Sequence, residues 1–445
     1  MSSKKNRGEW GSSMGFILAA AGSAIGLGNI WKFPYLMGRN GGVWFLLAYL
    51  VFIVIMGMPV MLGEMALGRA ANKNPVGAFA AQNRWATPIG AMGVLAAFII
   101  LSYYSVIGGW VMRYLVDYTF QGVAPDFGEF TASAGSPILW HGVFLLWAVV
   151  ICLGGVSAGI ERASRLMMPT LFLLLLLIVI RAVTLPGAGE GLRFMFDPRA
   201  SQFSLKSISA ALGQVFFSLS LGMGIMITYG SYLGRNARLV RKAVIVPSLD
   251  TFCALLAGLA ILPTVFAFGK DPTAGPSLVF VTLPDVFSAM PAGGRLIAIL
   301  FFIVLAFAAV TSAVSLLECV ISYTIDELHW SRLLSLVLVG GTVFLLGIPS
   351  ALSSGLIAEW KPIMFGGRNF LDAACFLTDN ILMPIGGLLM CIFVGWVQGP
   401  SKMGAEIANH GAWPFRQYPA WAFIMRYIAP VLLIVVMLVQ FGVFE

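Results

Sequence analysis

Charge is what this chain has least of. Lys, Arg, Asp and Glu make up 10% of its 445 residues, whereas soluble domains carry about 25%. A water-facing globular surface is therefore excluded. The charge present is mostly basic, 27 residues against 19, for a net +8. No basic stripe with interleaved aromatics occurs, so nucleic acid is excluded as a partner. Histidine is scarce as well: His141, His329 and His410 are scattered, and no nucleophile–base pair is visible. An enzyme is disfavoured on that ground. The five cysteines, Cys152, Cys253, Cys319, Cys375 and Cys391, fall in or beside apolar segments. They have neither metal-ligand spacing nor the look of a disulfide framework. Low-complexity tracts and nucleotide motifs are missing, and Gly-x-Gly pairs lie inside apolar helices rather than after strands. The ring or repeat of filter residues that a channel needs is also missing.

What is abundant is apolar: 59% of residues are hydrophobic. Runs of about 20 apolar residues recur along the whole length, which defines an all-α polytopic membrane protein. Eleven spans are expected, at roughly 11–38, 43–69, 87–120, 138–155, 164–184, 205–233, 240–268, 294–327, 330–347, 369–398 and 420–443. Most of the basic excess falls in loops assigned to the inside: Lys4, Lys5, Arg7; Arg69, Lys73, Arg84; Arg162, Arg165; Arg235, Arg238, Arg241, Lys242. Arg193, Arg199, Lys361 and Arg368 fall outside, so the bias is moderate. It places the N-terminus in the cytoplasm and, with eleven spans, the C-terminus outside the plasma (inner) membrane. Met1–Glu9 resembles the start of a signal peptide, but the segment that follows is too long to be a cleaved one. The larger outer loops are 121–137, 185–204, 269–293 and 348–368. Loop 269–293 is too apolar for a linker and reads as a short re-entrant element over an outer vestibule.

Two spans are interrupted. Ala21-Gly22-Ser23-Ala24-Ile25-Gly26-Leu27-Gly28-Asn29 places three glycines within seven positions of the first, each costing ~1 kcal/mol in a helix relative to Ala. In a bilayer such a break survives only where freed backbone groups find partners in protein or a cavity. Freed carbonyls suit a hard cation such as sodium, and freed amides suit a carboxylate. Ser218-Leu219-Ser220-Leu221-Gly222-Met223-Gly224 interrupts the sixth span in the same way. Breaks at corresponding places in two halves point to a transporter site at a repeat interface.

Further stretches sharpen this. Arg7-Gly-Glu-Trp10, Ala21 through Pro34, Asn40-Gly41-Gly42, Gly63-Glu64 through Arg69, Tyr103-Tyr104, Gln214 through Tyr232, Leu249-Asp250, Thr311-Ser312 and Asp326-Glu327-Leu328 run in order along nearly the whole chain. In these the chain resembles the neurotransmitter:sodium symporters, particularly bacterial amino-acid members with the leucine-transporter fold. The resemblance implies a single transmembrane domain over 1–445. It comprises inverted repeats at 11–184 and 205–398, broken helices 1 and 6, and an eleventh helix at 420–443. It implies sodium-coupled import of a hydrophobic, aliphatic or aromatic, L-amino acid by alternating access.

The same resemblance assigns a first sodium site to the Ala24 carbonyl, Asn29, Ser218 and Asp250. A second uses the carbonyls of Gly22, Ile25 and Ala308 with the hydroxyls of Thr311 and Ser312. The substrate carboxylate is expected at the Leu27 and Gly28 amides and the Tyr104 hydroxyl, and the ammonium at carbonyls near Phe217, Ser220 and Ala24. Ile100, Tyr104, Phe217, Ser220, Met223, Ser315 and Leu316 shape the side-chain pocket, with Ser218 and Gly222 adjoining. Gly26 stands where amine-transporting relatives carry an aspartate, so the substrate must bring its own carboxylate. Unbranched Met223 lets the pocket adjust to large apolar side chains.

Glu64, an acid inside a span, is expected to accept hydrogen bonds from amides freed at the second break. Glu318 either lines the inner exit of the second sodium or makes a buried structural hydrogen bond. Arg7 and Asp326 are expected to form the inner gate beside Trp10 and Tyr232. Gly159 and Pro169 resemble a pattern that lets the inner half of span five unwind; an ordinary loop glycine and an early-helix proline explain them equally well. At the outer gate, with Tyr104 and Phe217 beneath it, the family's usual Arg is replaced by Lys32. Its usual Asp falls at Cys375, leaving Asp372 or Asp379 to substitute. Asp250 stands where Asn is common, and Ala254 where chloride-dependent relatives have Ser. A fixed carboxylate there predicts chloride independence. Its protonation on the empty return step predicts proton antiport. An amino-acid sensor on this scaffold would need an added signalling domain or long tail, and none is seen.

The topology is directly testable: a reporter active only in the cytoplasm, fused after Glu445, should be silent. Activity there would overturn the span count.

Overall fold

The computed structural model describes residues 8–199, 203–272, 277–290, 293–362 and 366–441. Arg7, assigned above to the inner gate, lies outside them. Among the described residues every regular element is helical, as hydrocarbon demands of a spanning chain.

In chain order the elements are a bent pair, α1 (Ser13–Ala24) and α2 (Gly28–Arg39), then α3 (Val43–Ala71), α4 (Arg84–Phe120), α5 (Gly135–Leu153) and α6 (Gly155–Val183). A second broken pair follows, α7 (Leu205–Ser218) and α8 (Ile225–Ser231). Then come α9 (Leu239–Ala267), the short apolar α10 (Leu278–Ala289), α11 (Gly294–Asp326), α12 (Arg332–Leu352), α13 (Phe370–Val397) and α14 (Tyr418–Gln440). Among the described residues nine helices are long and apolar enough to cross a membrane, and the α1–α2 pair, bent by 53°, makes ten. The halves α7 and α8 are individually too short for that criterion; counted as one span they agree with the eleven expected.

Several boundaries move. Span five begins at Gly155 rather than 164, because the polar stretch Ser157–Arg162 is helical and its Glu161 is buried. Gly159 is therefore a helix residue, and Pro169 lies inside the same continuous helix. Span nine runs through Pro349 to Leu352. The connections contain short helices at Pro75–Gln82, Phe127–Ala132 and Ala188–Phe196, too brief to show periodicity in sequence. The apolar loop 269–293 contains a short apolar helix, α10. Its Phe280 stacks on Phe127 and packs edge-on to Trp31, Trp110 and Tyr114.

Burial orders the bundle around the site. In α11, 72% of the apolar window is buried, against 22% in α14. The former is central and the latter lies on the lipid-facing rim. The broken elements α1, α2, α7 and α8 sit between α3, α4, α9 and α11. Close approach of α3 to α8 depends on small residues, as is common between membrane helices. A Cβ on Gly68 would run into the Ile227 carbonyl oxygen, and one on Gly230 would lie 2.6 Å from the Met65 oxygen. Neither obstacle is a side chain that can swing away. Gly68→Ala should therefore destabilise the fold by about 1–3 kcal/mol, read as a lower melting temperature of the purified protein; an unchanged melting curve would contradict this packing.

Candidate functional site

The site is built from the two helix breaks. At the first, α1 ends at Ala24, and the Ile25 amide still reaches Ala21 O at 2.7 Å. The Gly26 amide turns back to Ala24 O at 2.9 Å, leaving Leu27 and Gly28 to start α2. The freed groups are met from neighbouring helices. Leu27 N donates to the Tyr104 hydroxyl at 3.1 Å. The Ser23 carbonyl accepts from Ser220 at 3.2 Å and from Ser312 at 3.1 Å, and Gln214 Nε2 donates to Gly28 O at 3.1 Å.

The second break needs left-handed backbone at Ser220, Gly222 and Gly224 (φ 54°, 75° and 73°). Glycine takes such angles at no steric cost, whereas Ser220 is held there by tertiary contacts. The Gly222 amide donates to Glu64 Oε1 at 2.8 Å, and the Met223 carbonyl accepts from Cys319 Sγ at 3.4 Å. Glu64 sits where it can brace the break, on the fully buried face of α3.

Between the breaks lies a cavity of about 30 Å³, lined by Ala24, Gly26, Gly28, Ile100, Tyr104, Phe217, Ser218, Ser220, Met223, Ser315 and Leu316, all anticipated above. Ser23, Asn29, Ile225 and Ser312 complete the lining. Two anticipated residues do not line it: Leu27, which presents only its amide, and Gly222, whose amide is engaged by Glu64. The volume is that of about one water, so an amino acid enters only if the walls part.

Three anticipated polar groups meet on one side of this cavity. Asp250 accepts from Asn29 Nδ2 at 2.7 Å and from Ser218 Oγ at 2.9 Å; Asn29 Oδ1 lies 3.2 Å from Ser218 Oγ. The Tyr49 hydroxyl adds a third donor to Asp250 at 3.0 Å. Nothing in the sequence singles out Tyr49, since one hydroxyl in a long apolar run carries no signal. On the other side, Ser312 Oγ lies 3.3 Å from Gly22 O, and Thr311 Oγ1 lies 3.2 Å from Ala308 O. A Cβ on Gly22 would sit 3.1 Å from Thr311, so α1 and α11 touch there. Both clusters are oxygen-rich and buried, the ligand chemistry a hard monovalent cation requires.

Over the cavity, Lys32 Nζ pairs with Asp379 at 3.3 Å and lies 4.0 Å from the Phe217 ring centroid. Tyr103 also reaches Asp379 at 3.4 Å. Asp379 is thus the partner of Lys32; Cys375 offers no charge, and Asp372 is exposed one turn away. At the opposite end, Trp10 packs edge-on to Tyr229 and Tyr232, and its Nε1 donates to Tyr229 O at 3.0 Å. Asp326 accepts from Asn74 N at 2.9 Å. Glu318 accepts from Tyr232 at 2.8 Å and pairs with Arg332 at 2.5 Å, a buried structural network. Glu161, which sequence patterning does not mark, accepts from Gly11 N at 2.7 Å and Ser12 Oγ at 3.0 Å and pairs with Arg165. It holds the start of α1 against α6.

A helical bundle with two mid-membrane breaks, oxygen clusters on both sides of a small cavity and aromatic closures at each end defines a secondary transporter rather than an enzyme. The sequence model of the sodium:neurotransmitter symporter family matches residues 7–125 and 132–445, and the chain belongs to that family. It is 39% identical to the uncharacterized sodium-dependent transporter YhdH of Bacillus subtilis, over 98% of each chain. An uncharacterized sodium-dependent transporter of Haemophilus influenzae is 34% identical, over 97% of this chain and 98% of that one. The crystal structure of MhsT in complex with L-phenylalanine superposes with a TM-score of 0.88 at 42% identity, covering 98% of this chain and all of the other. The protein is accordingly a sodium-using, multi-pass membrane symporter.

The brace is the first element to test. Glu64→Leu leaves the buried Gly222 amide without an acceptor, at a cost of about 1–3 kcal/mol. Glu64→Gln keeps one acceptor oxygen. The leucine variant should melt clearly lower than the glutamine variant, and equal melting temperatures would show that the hydrogen bond does not hold the break.

Proposed function

We propose that this protein imports a hydrophobic, aliphatic or aromatic, L-amino acid coupled to sodium at two sites, without chloride. The observation that carries the substrate class is the surroundings of Gly26. A Cβ there would lie 2.7 Å from Ser312 Oγ and 2.9 Å from the Tyr104 hydroxyl. No protein carboxylate fits where the Leu27 amide and Tyr104 already converge. The substrate supplies that carboxylate, and Ile100, Phe217, Met223, Ile225 and Leu316 give its side chain an apolar surround. The likeness to a protein crystallised with L-phenylalanine supports the same class.

Asn29, Ser218 and Asp250 with the Ala24 carbonyl form the first sodium site in this reading. Gly22, Ile25, Ala308, Thr311 and Ser312 form the second. The fixed Asp250 carboxylate, with buried Ala254 one turn later, replaces the compensating charge of a chloride ion. The segments 11–184 and 205–398 act as inverted repeats, with the N-terminus cytoplasmic and the C-terminus outside. Lys32–Asp379 closes the outer path over Phe217 and Tyr104. Trp10, Tyr232 and Asp326 close the inner one, with Arg7 as the acid's partner.

Counterflow of radiolabelled amino acids in proteoliposomes tests the reading. Uptake of phenylalanine- or leucine-like substrates should require sodium and persist when gluconate replaces chloride; strict chloride dependence would remove the role given to Asp250. Thr311→Ala with Ser312→Ala should abolish concentrative uptake, and unchanged uptake would remove the second site. Gly26→Asp should block amino-acid binding, because the added side chain would press on Ser312 and Tyr104 and crowd the substrate's own carboxylate.

A further inference from the structure

The transport machinery leaves unused a groove of about 760 Å³ on the bundle's flank, between the first turns of α9 and the segment 407–417. Its walls are fixed to each other. The buried guanidinium of Arg69 donates to Glu406 Oε1 at 2.6 Å and to the Ala237 carbonyl at 2.7 Å. At the mouth stand Arg238 and Arg241, one turn apart and exposed. Arg238 lies over the Trp413 ring, its guanidinium carbon 4.0 Å from the centroid. A guanidinium set over an aromatic face still has N–H donors for a phosphate. Among the described residues neither arginine has an ion pair. The acid in the neighbouring short helix Pro400–Ile407, Glu406, is taken by Arg69 and lies 3.5 Å from His410. The segments 233–245 and 399–417 hold Arg235, Arg238, Arg241, Lys242, Lys402 and Arg416 against that single acid. From Arg241 the exposed face of α9 runs on through Val244, 46% exposed, and Ser248 to Phe252, 52% exposed. Ser248 gives its hydroxyl proton to the Val244 carbonyl at 2.8 Å, so the stripe is effectively apolar.

A cationic, aromatic-floored mouth that continues into an apolar stripe along a spanning helix matches a molecule with an anionic head and a hydrocarbon tail. We propose that this groove binds an anionic glycerophospholipid, its phosphate between Arg238 and Arg241 and one acyl chain along Val244 towards Phe252. The orientation proposed above decides only which leaflet supplies the lipid; the contacts themselves do not depend on it.

Native mass spectrometry of the full chain, given equal amounts of phosphatidylglycerol and phosphatidylcholine with matched acyl chains, tests this. Phosphatidylglycerol adducts should dominate. The preference should fall about five-fold for each arginine removed in Arg238→Gln and Arg241→Gln, the factor expected for one basic side chain at a membrane surface. Arg162→Gln, exposed on α6 and not part of the groove lining, should change nothing. Glycerol phosphate, which has the head group chemistry without the chains, should compete poorly. Complete competition by it would mean a soluble phosphate ligand and overturn the lipid assignment. Equal retention of both lipids by the unmodified protein would overturn it as well, and would point to a soluble partner. If the double variant does not fold, Arg241→Gln against Arg241→Lys makes the same comparison. Lysine should keep most of the preference, and identical behaviour of the two would refute the role of the charge.

Discussion

Two helices are cut in the middle of the molecule, where the backbone groups released are shut off from bulk water. That constraint decides the surroundings of the site. A buried unpaired amide or carbonyl costs about 1–3 kcal/mol, so each must be met by a side chain from another helix. Tyr104 meets Leu27, Gln214 meets Gly28, Ser220 and Ser312 meet Ser23, and Glu64 meets Gly222. Those partners come from α3, α4, α7 and α11 and from the second break itself. The two breaks therefore hold each other in place, and neither can be rearranged without disturbing the other.

The same arrangement explains why the site is small. Freed groups that satisfy one another draw the half-helices together until only about 30 Å³ remains between them. A substrate carboxylate would take over the Leu27 amide and Tyr104 hydroxyl from each other. The exchange substitutes one set of polar contacts for another, so opening the walls does not strand a polar group. In the proposed cycle, closure is left to weak, reversible contacts. Lys32–Asp379 is partly exposed, and pairs of that kind contribute about 1 kcal/mol or less. That suits a gate, which needs only to bias a population.

Much of this is legible in the order of the residues. Clustered glycines within apolar runs mark both breaks, and single acids within spans mark Glu64 and Asp250. The features that stay hidden have no local signature. Tyr49 sits in an apolar run where a phenol looks like packing, and its meeting with Asp250 depends on how α3 lies against α9. Glu161 has the surroundings of a polar loop, with Gly154-Gly155 before it and Arg162 after, yet it is buried against the start of α1. The neighbours of Gly222 in sequence suggest a place in the pocket, whereas its left-handed backbone turns its amide away to Glu64. The partner of Lys32 is ambiguous for a similar reason. Asp372 and Asp379 each lie about one turn from Cys375, on either side of it, and sequence spacing alone does not give the rotation of α13.

The Asp250 cluster shows how one set of side chains can serve two purposes. The Asn29 amide nitrogen donates to the carboxylate, which fixes the direction of its own oxygen towards Ser218. Ser218 gives its proton to Asp250 and so keeps its lone pairs for another partner. Tyr49 donates to the remaining side. A carboxylate held this way is satisfied by protein hydrogen bonds, and the oxygens around it are already oriented for a cation. In the sodium site proposed above, such preorganisation would lower the reordering needed when the ion enters. In the chloride-independent cycle proposed above, a diffusible anion in this role would have to be bound and released at every turn. A fixed acid stays, and the hydrogen bonds from Asn29, Ser218 and Tyr49 are what make its permanence tolerable in the middle of the membrane.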